Sequence, residues 1–176
     1  PDATGMSGHQ GFFYHFLDMP SGARFRDVEL STIDTALLLA GVLFCREYYD
    51  GPDATETGIR ALADSLYRRA DWQWAQGYDE AMIVYLLALG SPTHPVDSTA
   101  WAAWSATYQW GTYHGQAHVG FAPLFGHQFS HVWVDFRGIQ DPYMRSRGLD
   151  YFENSRRATL AQRAYAIANP DGWRGY

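Results

Sequence analysis

Residues 24–39 read Arg-Phe-Arg-Asp-Val-Glu-Leu-Ser-Thr-Ile-Asp-Thr-Ala-Leu-Leu-Leu and change character halfway along. The first eleven positions carry five charged residues, whereas residues 36–44 are almost entirely apolar. A helix that is apolar on every side is typically buried. Glu29 and Asp34 therefore stand at the entrance to a core element, where carboxylates are rare unless a partner or a function holds them.

The helices predicted around that entrance alternate in character. Periodicity predicts helices over 31–49, 54–70, 79–89, 98–109 and 150–168. The first and third are apolar all round, whereas the second and fourth have one polar face. Two concentric layers of helices joined by hairpins produce this alternation, but a four-helix bundle would give every helix a polar face. We therefore predict an all-α fold, an (α/α) toroid.

The connections complete the predicted organisation. Residues 12–17 form an aromatic run typical of a short strand, and 110–130 form a long aromatic loop with a short hairpin. Residues 129–147 predict one helix or two short ones, interrupted at Pro142. We expect a single domain over 1–176. Its helices supply only about half of a closed toroid, which indicates a fragment of a larger catalytic domain or an open array.

Composition favours one class of ligand and argues against others. Only 18% of the residues are charged, whereas 16% are aromatic, which favours a cleft for a neutral polar ligand. The net charge of -6 and the scattered basic residues argue against nucleic acid as a partner. The sequence contains no apolar run of roughly 18 residues, the length that a membrane span needs, and no signal peptide pattern. The single cysteine, Cys45, is expected to be a small buried thiol.

Acidic residues recur at the N-terminal ends of the helices that the toroid would place inside. They are Glu29, Asp34, Asp79, Glu80, Asp135, Asp141 and Glu153. Any one of them can be explained as a helix cap or a dipole partner. Aromatic rings nevertheless lie in the preceding loops, at Tyr14, Trp72, Trp74, Tyr78, Trp110 and Tyr113. Acids and rings that share one rim predict a carbohydrate cleft.

Cleavage of a glycosidic bond needs a protonated carboxyl beside the leaving oxygen and a second carboxylate that activates water or attacks. Glu80 lies between Tyr78 and Met82, and this partly apolar setting favours the protonated form that a general acid needs. Neutral sugars stack on rings and form hydrogen bonds with polar side chains. The predicted substrate-binding residues are Asp34, Tyr78, Asp79, Trp110, Tyr113, His127, His131, Asp135, Arg137, Gln140, Asp141 and Glu153.

Two histidines raise the alternative of a metal site. His127 and His131 are spaced i, i+4, as a pair of ligands on a helix would be. No His-Glu-x-x-His pattern and no nearby cysteine accompanies them. We therefore interpret them as hydrogen-bonding histidines of a sugar site or of the core, and expect neither a metal ion nor a cofactor.

Several strings resemble the bacterial glycoamylase-like domain family, and together they extend over nearly the whole chain. They are Gly-Phe-Phe-Tyr-His-Phe-Leu-Asp at 11–18, Glu-Leu-Ser-Thr-Ile-Asp-Thr-Ala-Leu-Leu-Leu-Ala-Gly at 29–41, Gly-Tyr-Asp-Glu-Ala-Met at 77–82, Leu-Gly-Ser-Pro-Thr-His-Pro at 89–95, Phe-Ala-Pro-Leu-Phe-Gly-His-Gln at 121–128 and Tyr-Phe-Glu-Asn-Ser-Arg-Arg-Ala-Thr at 151–159. This family holds endo-β-1,2-glucanases, and a related domain occurs in cyclic β-1,2-glucan synthases. The resemblance implies an (α/α)6 barrel, cleavage of β-1,2-glucan with inversion, and a bacterial periplasmic or extracellular location.

The resemblance also implies roles for two acids. Glu80 matches the general acid of the family, and Glu29 matches a second acidic site residue. Family domains continue on both sides of the matched strings, so the second catalytic carboxylate can lie outside this chain. Three functions stay open: an endo-acting β-1,2-glucan hydrolase, a transglycosylase-type domain of a cyclic β-1,2-glucan synthase, and a non-catalytic carbohydrate-binding fragment. Each has an oligosaccharide or polysaccharide as its partner.

Overall fold

The computed structural model describes residues 5–72, 82–121 and 123–174, and these are mostly helical. The helices are α1 (Thr32–Tyr48), α2 (Ala54–Arg69), α3 (Met82–Leu89), α4 (Ser98–Ser105), α5 (Pro142–Ser146) and α6 (Tyr151–Ala168). Two antiparallel ribbons pair β1 (Gly8–His9) with β2 (Phe12–Phe13), and β3 (Gln109–Tyr113) with β4 (Gln116–Gly120). The chain divides into two compact units, Pro1–Ala100 and Trp101–Tyr176. The single domain stays a prediction.

Helix α1 is the central element of the first unit. The Ser31 hydroxyl oxygen accepts a hydrogen bond from the backbone N–H of Asp34, which satisfies one of the free donors at the helix start. One face of α1 buries Ala36, Leu39 and Ala40, and the helix packs against both α2 and α3. The predicted helix over 31–49 is therefore confirmed.

The opposite face of α1 differs from the expectation of a helix buried all round. Leu38 is 48% exposed, Phe44 62% and Tyr48 69%, and Cys45 is exposed as well. The prediction of a buried Cys45 thiol is therefore wrong. Composition alone could not separate the two faces, because both are apolar and only one is covered in the described part of the chain.

The chain before α1 is anchored to the end of α2. Gly11 adopts a positive φ of 82°, and a Cβ atom there would lie 2.4 Å from the backbone oxygen of Arg69. The backbone N–H of Asp71 donates to the Gln10 oxygen at 2.9 Å. The buried Phe12 ring meets the Trp72 indole edge-on at a centroid distance of 5.4 Å. Glycine is needed at position 11 because only it tolerates both the conformation and the close approach.

Helix α6 and the β3–β4 hairpin form the frame of the second unit. Asp150 caps α6 by accepting from the backbone N–H of Glu153, and the helix packs along β4. The buried Asn154 side-chain oxygen accepts a hydrogen bond from the backbone N–H of Val119 at 2.9 Å, which fixes the strand to the helix. The predicted helix over 150–168 and the predicted hairpin within 110–130 are both confirmed.

Three predicted boundaries change. Helix α4 ends at Ser105 rather than at 109, because strand β3 begins at Gln109. The predicted strand over 12–17 is limited to its first two residues. Pro142 does not interrupt a helix but begins one, because proline suits the first helical position, where no N–H is needed. Between the hairpin and α5 lie short 3₁₀ turns at Leu124–His127 and Phe129–Val132.

In the first unit, the packing of α1 against both α2 and α3 agrees with layered helices. The all-α class is confirmed as a mostly helical fold, while closure into a toroid stays a prediction. Among the described helices, none combines the length and the apolar character that a bilayer crossing requires.

Candidate functional site

His15 links the two acids that the sequence places at the start of α1. Its Nδ1 lies 2.6 Å from Oε1 of Glu29, and its Nε2 lies 3.4 Å from Oδ2 of Asp34. The Ser31 hydroxyl donates to the same Asp34 oxygen at 2.6 Å. Two of the predicted site carboxylates are thus brought together by a histidine.

Backbone pairing puts these residues side by side. The N–H of His15 donates to the backbone oxygen of Glu29 at 2.9 Å, and the N–H of Ser31 donates to that of Phe13 at 3.0 Å. Tyr14 and Leu30 form an antiparallel bridge between these two hydrogen bonds. The separation of fourteen positions between the imidazole and the Glu29 carboxylate hid this contact in the sequence.

The electrostatics of this group favour an ionic pair. The hydrogen bond to Glu29 raises the pKa of His15 above its usual 6.5, and the Asp34 charge adds to the increase. The same hydrogen bond lowers the pKa of Glu29. Glu29 is thereby favoured as an anion and His15 as a cation. The side chains of all three residues remain accessible to solvent and therefore to a ligand.

An aromatic ring lies beside His15. The Phe16 ring stacks on the His15 imidazole with a centroid distance of 4.4 Å and an interplanar angle of 7°. Phe16 is 58% exposed although it is fully apolar. An exposed ring next to polar side chains can stack on one face of a sugar while hydrogen bonds take its hydroxyls. The aromatic run at 12–17 pointed to a strand and gave no reason to select Phe16.

A second group of predicted residues lines a groove in the other unit. The groove has a volume of about 330 Å³, and its wall is largely apolar. Its lining consists of His127, Gln128, His131, Phe152, Ser155, Arg156, Thr159 and Leu160. Five of these lie on α6 at i, i+3, i+4, i+7 and i+8, which is one face of a helix. The groove brings together the two histidines that the sequence singled out.

Both histidines are biased toward the neutral form. Burial lowers the pKa of His127 from 6.5 to about 4, and the nearby His118 adds to this shift. Burial also lowers the pKa of His131, whose Nε2 lies 2.8 Å from the Ser155 hydroxyl. His127 Nε2 is buried and has no hydrogen-bond partner among the described residues. Neutral imidazoles can both donate and accept, which suits the hydroxyls of an uncharged ligand.

Two predicted aromatic residues lie on the hairpin rather than in the groove. The Arg147 guanidinium lies 5.0 Å from the centroid of the Trp110 ring. The Tyr113 ring packs on the His118 ring at 5.0 Å and leaves 42% of its surface exposed. Both rings therefore have protein neighbours of their own, and the structure does not gather them with the histidines.

The predicted residues between the hairpin and α6 each have a partner within the second unit. Asp135 and Arg137 form an exposed ion pair at 2.9 Å. The Gln140 amide donates to the Leu149 backbone oxygen at 2.9 Å. Asp141 caps α5 by accepting from the Met144 N–H at 2.7 Å. These contacts give each residue a structural use, and its part in substrate binding stays a prediction.

The first-turn acid of α6 is paired with arginines. Glu153 Oε1 accepts from Arg157 at 3.0 Å and from Arg156 at 3.3 Å. Arg157 also donates to the backbone oxygen of Ala117, on strand β4. Both arginines thus serve as partners of this first-turn acid.

Three predicted residues, Tyr78, Asp79 and Glu80, lie outside the described residues, and so does the ring at Trp74. Sequence reasoning missed His15, Phe16, Phe152 and Ser155. The last two belong to the 151–159 string, but nothing in their types separated them from ordinary helix residues. Among the described residues, no group of three or more His, Cys, Asp or Glu side chains is arranged to hold a metal ion.

Comparison with known proteins relates this geometry to a family. Residues 71–176 match the model of a family described as "Putative glucoamylase". A curated relative from Parabacteroides distasonis, an exo-β-1,2-glucooligosaccharide sophorohydrolase, is 24% identical over 221 aligned residues, covering 94% of this chain and 30% of the relative.

Solved structures of similar proteins share the fold. A structure from Bacteroides fragilis described as a "putative glucoamylase" is 27% identical with a TM-score of 0.82, covering 96% of this chain and 48% of that one. An endo-β-1,2-glucanase from Chitinophaga pinensis, solved with sophorotriose and glucose, is 24% identical with the same TM-score, covering 96% and 49%. The chain thus spans about half of these solved chains and less of the curated relative.

Proposed function

This chain belongs to the family described as "Putative glucoamylase", and from that premise we propose that it acts in a glycoside hydrolase that cleaves β-1,2-glucan. The observation that carries the proposal is its similarity, along 94% of its length, to a β-1,2-glucooligosaccharide sophorohydrolase. The likeness to an endo-β-1,2-glucanase supports a fold that can hold such a substrate.

The proposed reaction is inverting hydrolysis by two carboxylic groups. Glu80 gives its proton to the leaving glycosidic oxygen while a carboxylate takes a proton from water, whose oxygen bonds to the anomeric carbon on the opposite face. Glu29 is our candidate for that carboxylate, because its contact with His15 favours the ionised form. We further propose endo-acting attack within the glucan chain.

The histidine groove supports a role in binding uncharged sugar. His131 and Ser155 offer hydrogen-bonding atoms, His127 forms part of the wall, and the Phe152 ring offers an apolar surface. Arg156 is the charged residue of the lining, and its guanidinium is paired with Glu153, so entry of a ligand desolvates no unpaired charge. We propose that this groove contacts a glucosyl unit, with Asp34 serving the same purpose in the first unit.

Membership of the family also suggests the domain type and the cellular location. We propose that the helices contribute to one domain of the (α/α)6 barrel type. We also propose a periplasmic or extracellular location, since enzymes that degrade large glucans meet their substrates outside the cytoplasm.

The substrate class is tested by incubating the chain with linear β-1,2-glucan and following reducing ends, product size and binding. New reducing ends with shortened linear products would support hydrolysis. Cyclic or disproportionated products would instead favour a transglycosylase-type domain. Binding without products would leave a non-catalytic carbohydrate-binding function. The absence of both binding and products would overturn the proposal.

The acid is tested by Glu80→Gln, which keeps the size of the side chain but removes the titrating group. We expect glucan cleavage to fall by about 100-fold or more, with binding of sophorooligosaccharide retained. Glu47→Gln, on the exposed end of α1, is the matched control and should leave the rate unchanged. A Glu80→Gln variant that cleaves at the normal rate would disprove the assignment.

A further inference from the structure

The chain holds a histidine whose two ring nitrogens face two different carboxylates. Nδ1 of His15 lies 2.6 Å from Glu29, and Nε2 lies 3.4 Å from Asp34. A neutral imidazole carries one N–H and can donate to only one of them, whereas the imidazolium carries two and can donate to both. The geometry therefore matches the charged ring better than the neutral one.

Backbone pairing, ring stacking and a serine hydroxyl together fix the positions of these residues. The backbone hydrogen bond between His15 and Glu29 sets the two residues opposite each other, and the stacked Phe16 ring limits rotation of the imidazole. Ser31 fixes the Asp34 carboxylate at the helix start. The short contact to His15 thus orients a Glu29 carboxylate whose backbone is already fixed by strand-like pairing.

We propose that His15 is a positioning residue that orients Glu29 and keeps it ionised, so that Glu29 acts on the base side of the proposed hydrolysis. This inference rests on the proposed function for its catalytic meaning. The Glu29 carboxylate accepts the proton of the attacking water, and His15 keeps its own proton throughout. With Glu29 on the base side, the acid role is left to another carboxyl such as Glu80.

The contact itself can be tested without any enzyme assay. We expect the His15 imidazole, followed by NMR titration of the whole chain, to titrate above pH 6.5. Glu29→Gln should lower that midpoint strongly and Asp34→Asn more weakly, because only the first removes the short hydrogen bond. Glu47→Gln, near the C-terminal end of α1, should leave it unchanged. A His15 midpoint that Glu29→Gln does not move would overturn the proposal.

The catalytic meaning is tested by the pH profile of kcat/KM on β-1,2-glucan. His15→Ala should lower kcat/KM about tenfold near the acid limb and move that limb to higher pH, because the Glu29 carboxylate loses the partner that favours its ionised form. His15→Gln should recover part of the rate at high pH, since it restores a hydrogen-bond donor, but not the acid limb. His94→Ala, at an exposed position in the same unit, is the control.

The two proposals fail in different ways. An unchanged acid limb in His15→Ala, with normal cleavage by the wild type, would refute the positioning role and leave the proposed function standing. A wild-type chain that neither binds nor cleaves β-1,2-glucan would refute the proposed function, while the NMR titration would still decide whether His15 holds Glu29.

Discussion

Asp141 illustrates how a single carboxylate can hold several elements. Oδ1 caps α5 through the Met144 N–H, and Oδ2 accepts from the Trp101 indole at 2.8 Å and from the Tyr151 hydroxyl at 2.6 Å. Burial raises the pKa of Tyr151 far above its usual value, so its hydroxyl remains a donor. Such a carboxylate is a structural anchor of the second unit.

Replacement of Asp141 by alanine should therefore be costly. Loss of the cap and of two hydrogen bonds to a charged acceptor is expected to lower the free energy of unfolding by about 2–4 kcal/mol. Urea denaturation followed by tryptophan fluorescence measures the change. Asp135→Ala, which removes an exposed ion pair, should cost less than about 1 kcal/mol, and equal losses in the two variants would contradict the anchoring role.

At the scale of one residue, the sequence identifies candidate site carboxylates but not the side chains that bind them. Glu29 and Asp34 were selected because carboxylates are rare beside an apolar helix, and the structure gives them a common partner in His15. That partner was hidden because antiparallel pairing of distant segments, rather than helical spacing, creates the contact. Cys45 was misplaced for a related reason, since the type of a residue does not reveal which face of a helix is covered.

Helix α1 shows what pattern can and cannot predict at the scale of an element. Both of its faces are apolar, yet Leu39 is 1% exposed and its neighbour Leu38 is 48% exposed. Leu39 contributes to the packing in the first unit, and Leu38 points to solvent in the described structure.

Paired substitutions measure the difference between the two faces. Leu39→Ala should lower the free energy of unfolding by about 2–5 kcal/mol, because it leaves a cavity in a closely packed site. Leu38→Ala should change it by less than about 1 kcal/mol, since little buried surface is lost. Chemical denaturation of both variants under identical conditions provides the test, and a larger loss for Leu38→Ala would show that this face is covered in solution.

Helix ends were the most predictable features of the elements. Ser31, Asp53 and Asp150 stand at the starts of α1, α2 and α6, and each accepts a backbone N–H as its residue type predicts. The stretch between α4 and α5 was less predictable. Residues around 109 could continue an amphipathic helix or begin a strand, and only pairing with β4 selects the strand. Local sequence carries no information about such pairing.

For the molecule as a whole, buried histidines should govern the response to acid. The pKa of His127 is about 4 in the folded chain and near 6.5 when exposed, so the unfolded chain binds more protons between these values. The contribution of His127 to the free energy of unfolding is therefore fully present above pH 6.5. It falls as the pH drops toward 4, by about 3 kcal/mol at most. Burial of His118 and His131 acts in the same direction.

Thermal or urea unfolding across pH 4–7 tests this expectation. His127→Gln should flatten the loss of stability toward low pH, whereas His94→Gln at an exposed site should leave the slope as in the wild type. His15 has the opposite effect, because its pKa is raised in the folded chain. Its contribution to the free energy of unfolding is fully present below pH 6.5 and is lost as the pH rises through the raised pKa. A His127→Gln variant with an unchanged slope would rule out this histidine as the source.

The glycine at position 11 limits how this chain can vary through mutation. Any side chain there would meet the backbone at Arg69 and Ala70, just before the covalent link through Trp72 to the segment that carries Glu80. A substitution of Gly11 is therefore expected to disturb the packing of the turn between β1 and β2 against the end of α2. Loss-of-function alleles at this position would reflect the loss of this packing, because the residue bears no functional group of its own.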